Sequence, residues 1–254
     1  MDYSNPEYFA YAKKMEPRIK KKLSHEFEQI HTTGIESVKA LPENASILYT
    51  PLHKSHMDYI MLLANTFSHD LPFPRVVSGN NLLSGFTSAF IKHVARLDFA
   101  ALGTISIPRA RPKPPQRGAY DEFDQFRKAE QEYADSLSAH ENETTEFQTS
   151  FTSGLENEVI ALFPEARERE THNQKTGRTY TGLERNFSPL FAREAVKHEN
   201  LYIVPLAITY DWVPETHLFH KLNIAKSRGN SRAYQKLEAQ TFLRTLWKGG
   251  KGDV

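Results

Sequence analysis

The sequence contains no cysteine, carries almost no net charge and has no long apolar run. The missing cysteines exclude disulfide bonds, cysteine nucleophiles and thiolate metal sites, and they fit a reducing compartment. A formal net charge of +1 gives no excess of one sign that would predict nucleic-acid binding. No stretch approaches the roughly 18 apolar residues that cross a bilayer, and the first residues lack the apolar core of a signal peptide. We therefore expect a cytoplasmic globular protein whose contact with a membrane, on the inner face, is peripheral.

The first 40 residues predict a helical segment that precedes the main domain. Within 7–39, Pro17 and Gly34 are the main residues that oppose a helix. Apolar side chains recur every three to four residues in one stripe, formed by Tyr8, Tyr11, Met15 and Ile19. The other face is basic, with Lys13, Lys14, Arg18, Lys20, Lys21 and Lys22. This face is either a solvated surface or a surface for anionic lipid headgroups or an acidic carrier protein.

Short β-rich runs alternate with helical patterns through the main domain, residues 41–254. This alternation predicts an α/β fold with a mixed, mostly parallel central sheet flanked by helices. The predicted strands are Ser46–Thr50, Arg75–Ser78, Gly103–Ile107, Val159–Phe163 and Leu201–Tyr210. The predicted helices lie at about 56–67, 82–97, 119–156, 184–198 and 231–247. Residues 110–156, a basic proline-rich link and a polar helix, are interpreted as an insertion or lid, and residues 165–181 as a polar loop.

The segment His53-Lys54-Ser55-His56-Met57-Asp58 combines an imidazole base with a carboxylate. On one continuous helix a spacing of five would put His53 and Asp58 roughly 140° apart. They meet only if His53 lies in a loop and Asp58 in the first helical turn. Pro51 upstream and Ser55, a good N-cap residue, favour that arrangement. A carboxylate bonded to one imidazole nitrogen leaves the other nitrogen to accept a proton.

Two other interpretations of this segment stay open. Ser55 to Asp58 is close to a capping box, in which Asp58 would bind backbone N–H groups and nothing else. His53, His56 and Asp58 are also residue types that bind metals. Their spacing differs from that of the His-Glu-x-x-His enzymes, and no thiolate is present to complete a closed zinc site.

The segment His53–Tyr59 resembles the H-x-x-x-x-D motif of the glycerol-3-phosphate and 1-acylglycerol-3-phosphate acyltransferases. The form with Lys after the first His, then Ser-His-Met-Asp-Tyr, is closer to the glycerol-3-phosphate branch. The resemblance implies that His53 and Asp58 are catalytic, the first as base and the second as its orienting partner. It also places Ser55 among the substrate-binding residues.

The second motif of the same family is similar to the segment from Gly103 to Arg109. The family pattern is G-x-x-F-I-x-R, and here Ser106 replaces the usual Phe. The resemblance implies that Gly103 and Arg109 bind substrate, with the arginine on the phosphate. An arginine after a parallel strand suits that role, because it presents two N–H groups to one anion.

The third and fourth motifs follow in family order. Phe163-Pro164-Glu165 resembles the start of F-P-E-G-T-R-S-R, although Ala166 replaces the glycine and the rest aligns poorly. The resemblance implies that Glu165 binds the acceptor. The candidates for binding the phosphate of the acceptor are Arg167, Arg169, Lys175 and Arg178. Ile203–Tyr210 resembles the fourth motif, an apolar strand in which Pro205 predicts an edge or a bulge.

Together the four motifs imply an O-acyltransferase of phospholipid synthesis. It would move a fatty acyl group from acyl-CoA or acyl carrier protein to a hydroxyl of glycerol 3-phosphate, with no cofactor besides that thioester and no metal. The alternatives are transfer to 1-acylglycerol 3-phosphate, a thioesterase, and a catalytically weak relative that binds lipid or phosphate. Members of this family continue into a further strand past the position of Val254, which implies a chain that is naturally short or a fragment.

Overall fold

The computed structural model describes residues 6–27, 29–52, 57–79, 83, 89, 92–93, 98–108, 111–163, 168–173, 178–183 and 193–210. The helices are α1 (Pro6–Glu26), α2 (Ile35–Lys39), α3 (Met57–Ser68) and α4 (Phe123–Asn157). The strands are β1 (Ser46–Pro51), β2 (Arg75–Gly79), β3 (Ile105–Ile107), β4 (Val159–Leu162), β5 (Glu168–Asn173), β6 (Arg178–Leu183) and β7 (Leu201–Leu206).

Five strands form one parallel sheet in the order β3-β2-β4-β1-β7. Strand β1 is an almost continuous apolar run and is buried over nearly its whole length, as is typical of a parallel strand covered on both faces. Ile47 of β1 lies opposite Val159 of β4 and Tyr202 of β7. The predicted α/β fold with a mostly parallel sheet is confirmed. In such a sheet the carboxyl ends of all strands lie at one edge.

The two faces of the sheet are covered by different helices, because alternate side chains of a strand point to opposite faces. One face, with Tyr49 and Val76, packs against Tyr59 and Leu62 of α3. The other face packs against the last turns of α4, through a cluster that includes Leu48, Val77, Ile160, Phe147, Phe151 and Leu155. Helix α3 therefore follows β1 at the carboxyl edge and returns over one face of the sheet.

Helix α4 confirms the polar helix predicted after the proline-rich link, and it has two different parts. Its last turns lie in the core, where Phe151 and Leu155 are fully buried. Its first turn is exposed, with 59% of Phe123 accessible to solvent. Because the last turns pack in the core directly before β4, a lid could be formed only by the exposed first turns of α4. That function stays a prediction.

Helix α1 buries Met15 and Ile19 of the predicted apolar stripe, leaves Tyr8 and Tyr11 half-buried, and ends earlier than the sequence predicted. Ala12, Met15, Ile19 and Leu23 are buried, and they join a cluster with the side chains of α3. The prediction of a helix through residue 39 is wrong, because α1 ends at Glu26 and a separate short helix begins at 35. The physical reason lies in the β-branched residues of 30–33 and in Gly34, whose φ of 79° is left-handed.

Residues 165–181 also differ from the prediction of a polar loop. They contain β5 and the start of β6, which pair antiparallel from Glu168 opposite Leu183 to Asn173 opposite Arg178. Threonine and tyrosine favour an extended backbone, and the charged neighbours obscured that preference in the sequence. Strand β7 is an edge of the sheet among the described strands, as Pro205 predicted. The helices predicted at 82–97 and 184–198 lie mostly, and the one at 231–247 entirely, outside the described residues.

Candidate active site

A buried carboxylate lies at the carboxyl edge of the sheet. Asp58 is in the first turn of α3, where the sequence predicted it, and none of its surface is accessible to solvent. The hydroxyl of Tyr210 donates a hydrogen bond of 2.6 Å to its Oδ1 atom. A buried carboxylate needs such donors, because burial without them disfavours the charged form strongly. The arrangement is that of a fixed carboxylate, able to orient a neighbouring base.

Aromatic contacts bring the ends of several segments to the same helical turn. The ring of Tyr59 lies 4.3 Å from that of Phe163, centroid to centroid, and 6.5 Å from that of Phe99. Phe163 is the first residue after β4, and Phe99 precedes β3. The first turn of α3 therefore contacts the beginning of the third motif and, through Tyr210, the end of the fourth.

The remaining predicted site residues lie mostly outside the described part of the chain. These are His53, Ser55, Arg109, Glu165, Arg167 and Lys175. The last described residues before His53, Arg109 and Glu165 are Leu52, Pro108 and Phe163, each directly after the carboxyl end of a strand of the parallel sheet. Arg169 is described by its backbone, in β5 opposite Gly182. Arg178 is likewise described by its backbone, at the start of β6. The roles of all these residues stay predictions.

Gly103 lies at the amino edge of the sheet, before β3 begins. Its carbonyl oxygen accepts a 2.8 Å hydrogen bond from Nε of Arg75, and Nη1 of that arginine pairs with Glu158 at 2.8 Å. The φ angle of Gly103 is 68°, and a Cβ atom there would lie 2.5 Å from the ring of Tyr8. These contacts give Gly103 a structural role between α1 and the sheet, and they favour that role over the substrate contact that the resemblance implies.

Tyr49 of β1 lies on the sheet face that α3 covers. It is 1% exposed, and within the described part of the chain its hydroxyl has no hydrogen-bond partner. Burial raises the pKa of this phenol well above its ordinary value, so it stays neutral.

Tyr210 is the functional candidate that the sequence did not reveal as such. The apolar strand before it was recognised, but no local pattern connects a tyrosine after β7 with a carboxylate in α3.

Among the described residues no group of three or more His, Asp or Glu side chains is placed to hold a metal. His53 and His56 lie outside those residues, so the metal interpretation of that segment stays open. No helix in the described ranges has the length and apolar character needed to cross a membrane.

A parallel α/β sheet with a buried carboxylate at its carboxyl edge defines a class of protein that carries its chemistry in the loops after its strands. The chain belongs to the Acyltransferase family, whose model matches residues 29–209, from before α2 to beyond β7.

The curated relatives match a shorter part of the chain. Over 55 residues, 21% of this chain, it is 46% identical to the mitochondrial glycerol-3-phosphate acyltransferase 1 of Homo sapiens and to that of Mus musculus. It is 32% identical over 56 residues, 22% of the chain, to the glycerol-3-phosphate acyltransferase of Pseudomonas fluorescens. Each match spans about 7% of the relative's own length.

Proposed function

We propose that this protein transfers a fatty acyl group from an acyl thioester to a hydroxyl of glycerol 3-phosphate. The observation that carries the proposal is the buried, hydrogen-bonded Asp58 at the carboxyl edge of the sheet, five residues after His53 and inside the family match. The relatives named for glycerol-3-phosphate acylation support the choice of acceptor.

In the proposed reaction His53 is the general base and Asp58 holds its imidazole in the required tautomer. His53 takes the proton of the acceptor hydroxyl as its oxygen attacks the thioester carbonyl. The new C–O bond forms, the C–S bond breaks, and the leaving thiolate receives the proton from the imidazolium. No acyl-enzyme is required, because the thioester is already activated. General-base catalysis of this kind contributes about 10²–10⁴ in rate.

The phosphate of the acceptor would be held by Arg109 with cations of the third-motif segment, among Arg167, Arg169, Lys175 and Arg178, while Glu165 would bind a hydroxyl. The parallel sheet supports this proposal in one respect. Strands β3 and β4 end at the same edge, directly before the segments that begin with Arg109 and Glu165, and β1 ends at that edge directly before His53. Cationic side chains that hold the phosphate would also hold the acceptor hydroxyl beside the base, and such positioning lowers the activation barrier of the transfer further.

We also propose that α1 contacts an anionic membrane or an acidic acyl carrier. Its exposed Lys14 and Lys21 lie roughly 145–165° around the helix from the centre of the buried stripe, and its exposed Arg18 lies roughly 105° from it. Lys13 and Lys20 lie at the side and pair with Glu16 at 2.9 and 2.7 Å. The hydrogen bond from Lys20, followed by that from Lys13, lowers the pKa of Glu16, so this carboxylate stays charged and offsets both lysines. The outward cations therefore provide the larger attraction for an anionic surface.

The experiment is a time course of acyl-thioester consumption with purified protein, run with and without glycerol 3-phosphate. Acyl-CoA and acyl carrier protein serve in turn as donors, and 1-acylglycerol 3-phosphate replaces the acceptor in a parallel series. Consumption that requires glycerol 3-phosphate and yields its acyl ester supports the proposal. Consumption without any acceptor identifies a thioesterase instead. A requirement for the monoacylated acceptor assigns the second acylation step, and binding without consumption identifies a non-catalytic relative.

A further inference from the structure

The hydrogen bond between Tyr210 and Asp58 joins residues that are 152 positions apart. Tyr210 lies four residues beyond the end of β7, and Asp58 is the second residue of α3. Both segments follow strands of the parallel sheet, so both lie at its carboxyl edge. The contact therefore exists because β1 and β7 are neighbours in the sheet.

A hydrogen bond to one oxygen of a carboxylate restricts the rotation of the whole group. The last torsion of an aspartate side chain is otherwise broad, and a catalytic carboxylate must present an oxygen to its imidazole within a few tenths of an ångström. Tyr210 donates to Oδ1 at 2.6 Å, a short bond to a charged acceptor. A carboxylate accepts at both oxygens, so this bond sets the direction in which Oδ2 faces a second donor.

The position of the Tyr210 ring is in turn fixed by packing. Its ring centroid lies 5.9 Å from that of Phe27, just after α1, with the planes tilted by 32°. Tyr210 and Phe27 both pack against the cluster formed by α1 and α3. The segment after α1 thus supports the tyrosine, and the tyrosine supports the carboxylate.

We infer that Tyr210 is a positioning residue, which holds the Asp58 carboxylate in the orientation that aligns His53. The inference rests on the proposed transfer reaction and adds to it a residue outside the His53–Asp58 pair. Tyr210 does not need to touch the substrate for this role. The loss of its hydroxyl should therefore slow the chemical step and leave substrate binding unchanged.

The test is the variant Tyr210→Phe, which keeps the ring against Phe27 and removes the donor. We expect kcat for transfer to fall by a factor on the order of 10 to 100, the range for a lost hydrogen bond to a charged group. KM for both substrates should stay within about twofold, because no uniform binding interaction is lost. The matched control is Tyr11→Phe, which removes a hydroxyl that accepts a 2.9 Å hydrogen bond from the backbone N–H of Asp98 in the same region. Its kcat should equal that of the wild type.

A double variant separates an effect through Asp58 from an effect elsewhere. In an Asp58→Asn background, measured by single turnover at high enzyme concentration, Tyr210→Phe should cost less than about twofold further. An equal loss in both backgrounds overturns the inference. An active wild type with an unchanged kcat in Tyr210→Phe overturns it too, while the proposed reaction stands. A wild type that transfers no acyl group overturns both.

If Tyr210→Phe does not fold, Phe27→Leu is measured instead, because it retains the hydroxyl of Tyr210 and removes the ring that packs against it. A lower kcat at constant KM then supports the inference, and a wild-type kcat contradicts it.

Discussion

The ring of Tyr59 lies against the ring of Phe163, with their centroids 4.3 Å apart and their planes tilted by 47°. Tyr59 directly follows Asp58, and Phe163 is the first residue of the segment that resembles the third motif. One aromatic contact thus fixes the start of α3 against the carboxyl end of β4.

This contact should be measurable as an energetic coupling. Tyr59→Leu and Phe163→Leu should each destabilise the protein, and the double variant should lose less than the sum, by about 0.5–1.5 kcal/mol. Urea unfolding of the wild type and the three variants gives this coupling energy. Strictly additive losses would show that the two rings do not support each other.

Replacement of His53 tests the assigned base. His53→Ala should lower kcat for transfer by at least about 10²–10⁴, because the proton of the hydroxyl then has no acceptor of suitable pKa. The circular dichroism spectrum should not change. His31→Ala is the matched control, because His31 is exposed and bonded to Gln29 at 3.0 Å. A His53→Ala protein with near-normal turnover would show that another group is the base.

Two glycines with positive φ among the described residues separate the cost of backbone strain from the cost of a steric contact. Gly34 has a φ of 79° and nothing within 4 Å of the position that a Cβ atom would take, whereas a Cβ at Gly103 would meet the ring of Tyr8. Gly34→Ala should cost roughly 1–2 kcal/mol, the strain of a left-handed residue that carries a side chain. Gly103→Ala should cost more, because the Tyr8 ring must also move.

Urea unfolding of both variants measures this difference. KM of the folded Gly103→Ala protein for glycerol 3-phosphate should be unchanged if the glycine is structural. A raised KM at unchanged stability would restore the substrate-binding role that the family resemblance implies.

The buried hydroxyl of Tyr49 predicts that the free energy of unfolding falls at high pH. Tyr49→Phe should be neutral or slightly stabilising at pH 7–9, because the hydroxyl is buried without a partner among the described residues. Burial raises the pKa of Tyr49 in the folded state, so the folded protein retains this proton while the unfolded chain releases it. The contribution of the neutral phenol is complete below the unfolded pKa of about 10 and is lost as the pH rises above it.

Unfolding free energies of wild type and Tyr49→Phe between pH 8 and about pH 11 check this linkage. The wild type should lose more stability than the variant above about pH 10. Parallel curves over the whole range would place the phenol in contact with solvent or with a partner.

Two pairs of lysines on α1 test the membrane proposal. Lys14→Gln with Lys21→Gln should weaken binding to vesicles that contain anionic lipid by roughly 2 kcal/mol, about 1 per lysine. Lys13→Gln with Lys20→Gln is the matched control, and its effect should be smaller because Glu16 pairs with both lysines. Sedimentation at two salt concentrations provides the measurement, since the interaction should weaken with ionic strength. Equal losses for the two pairs, or binding that salt does not change, would argue against this surface.

The sequence by itself determined the elements of the sheet. The apolar run of 46–50, the apolar segment of about 56–67 and the apolar run of 159–163 each contain the predicted strand or helix. These segments are governed by local propensity and by burial on nearly all sides, and both are recorded in neighbouring residues as short apolar runs. The same record failed in 165–181, where charged side chains concealed two extended segments.

The tertiary structure alone decided how Asp58 is held and what Gly103 contacts. The hydrogen bond from Tyr210 to Asp58 and that from Arg75 to the carbonyl of Gly103 both follow from the strand order β3-β2-β4-β1-β7. That order depends on contacts between residues far apart in the chain. Such contacts arise when loops close to bury the sheet between its helices, and no repeat of neighbouring residues encodes them.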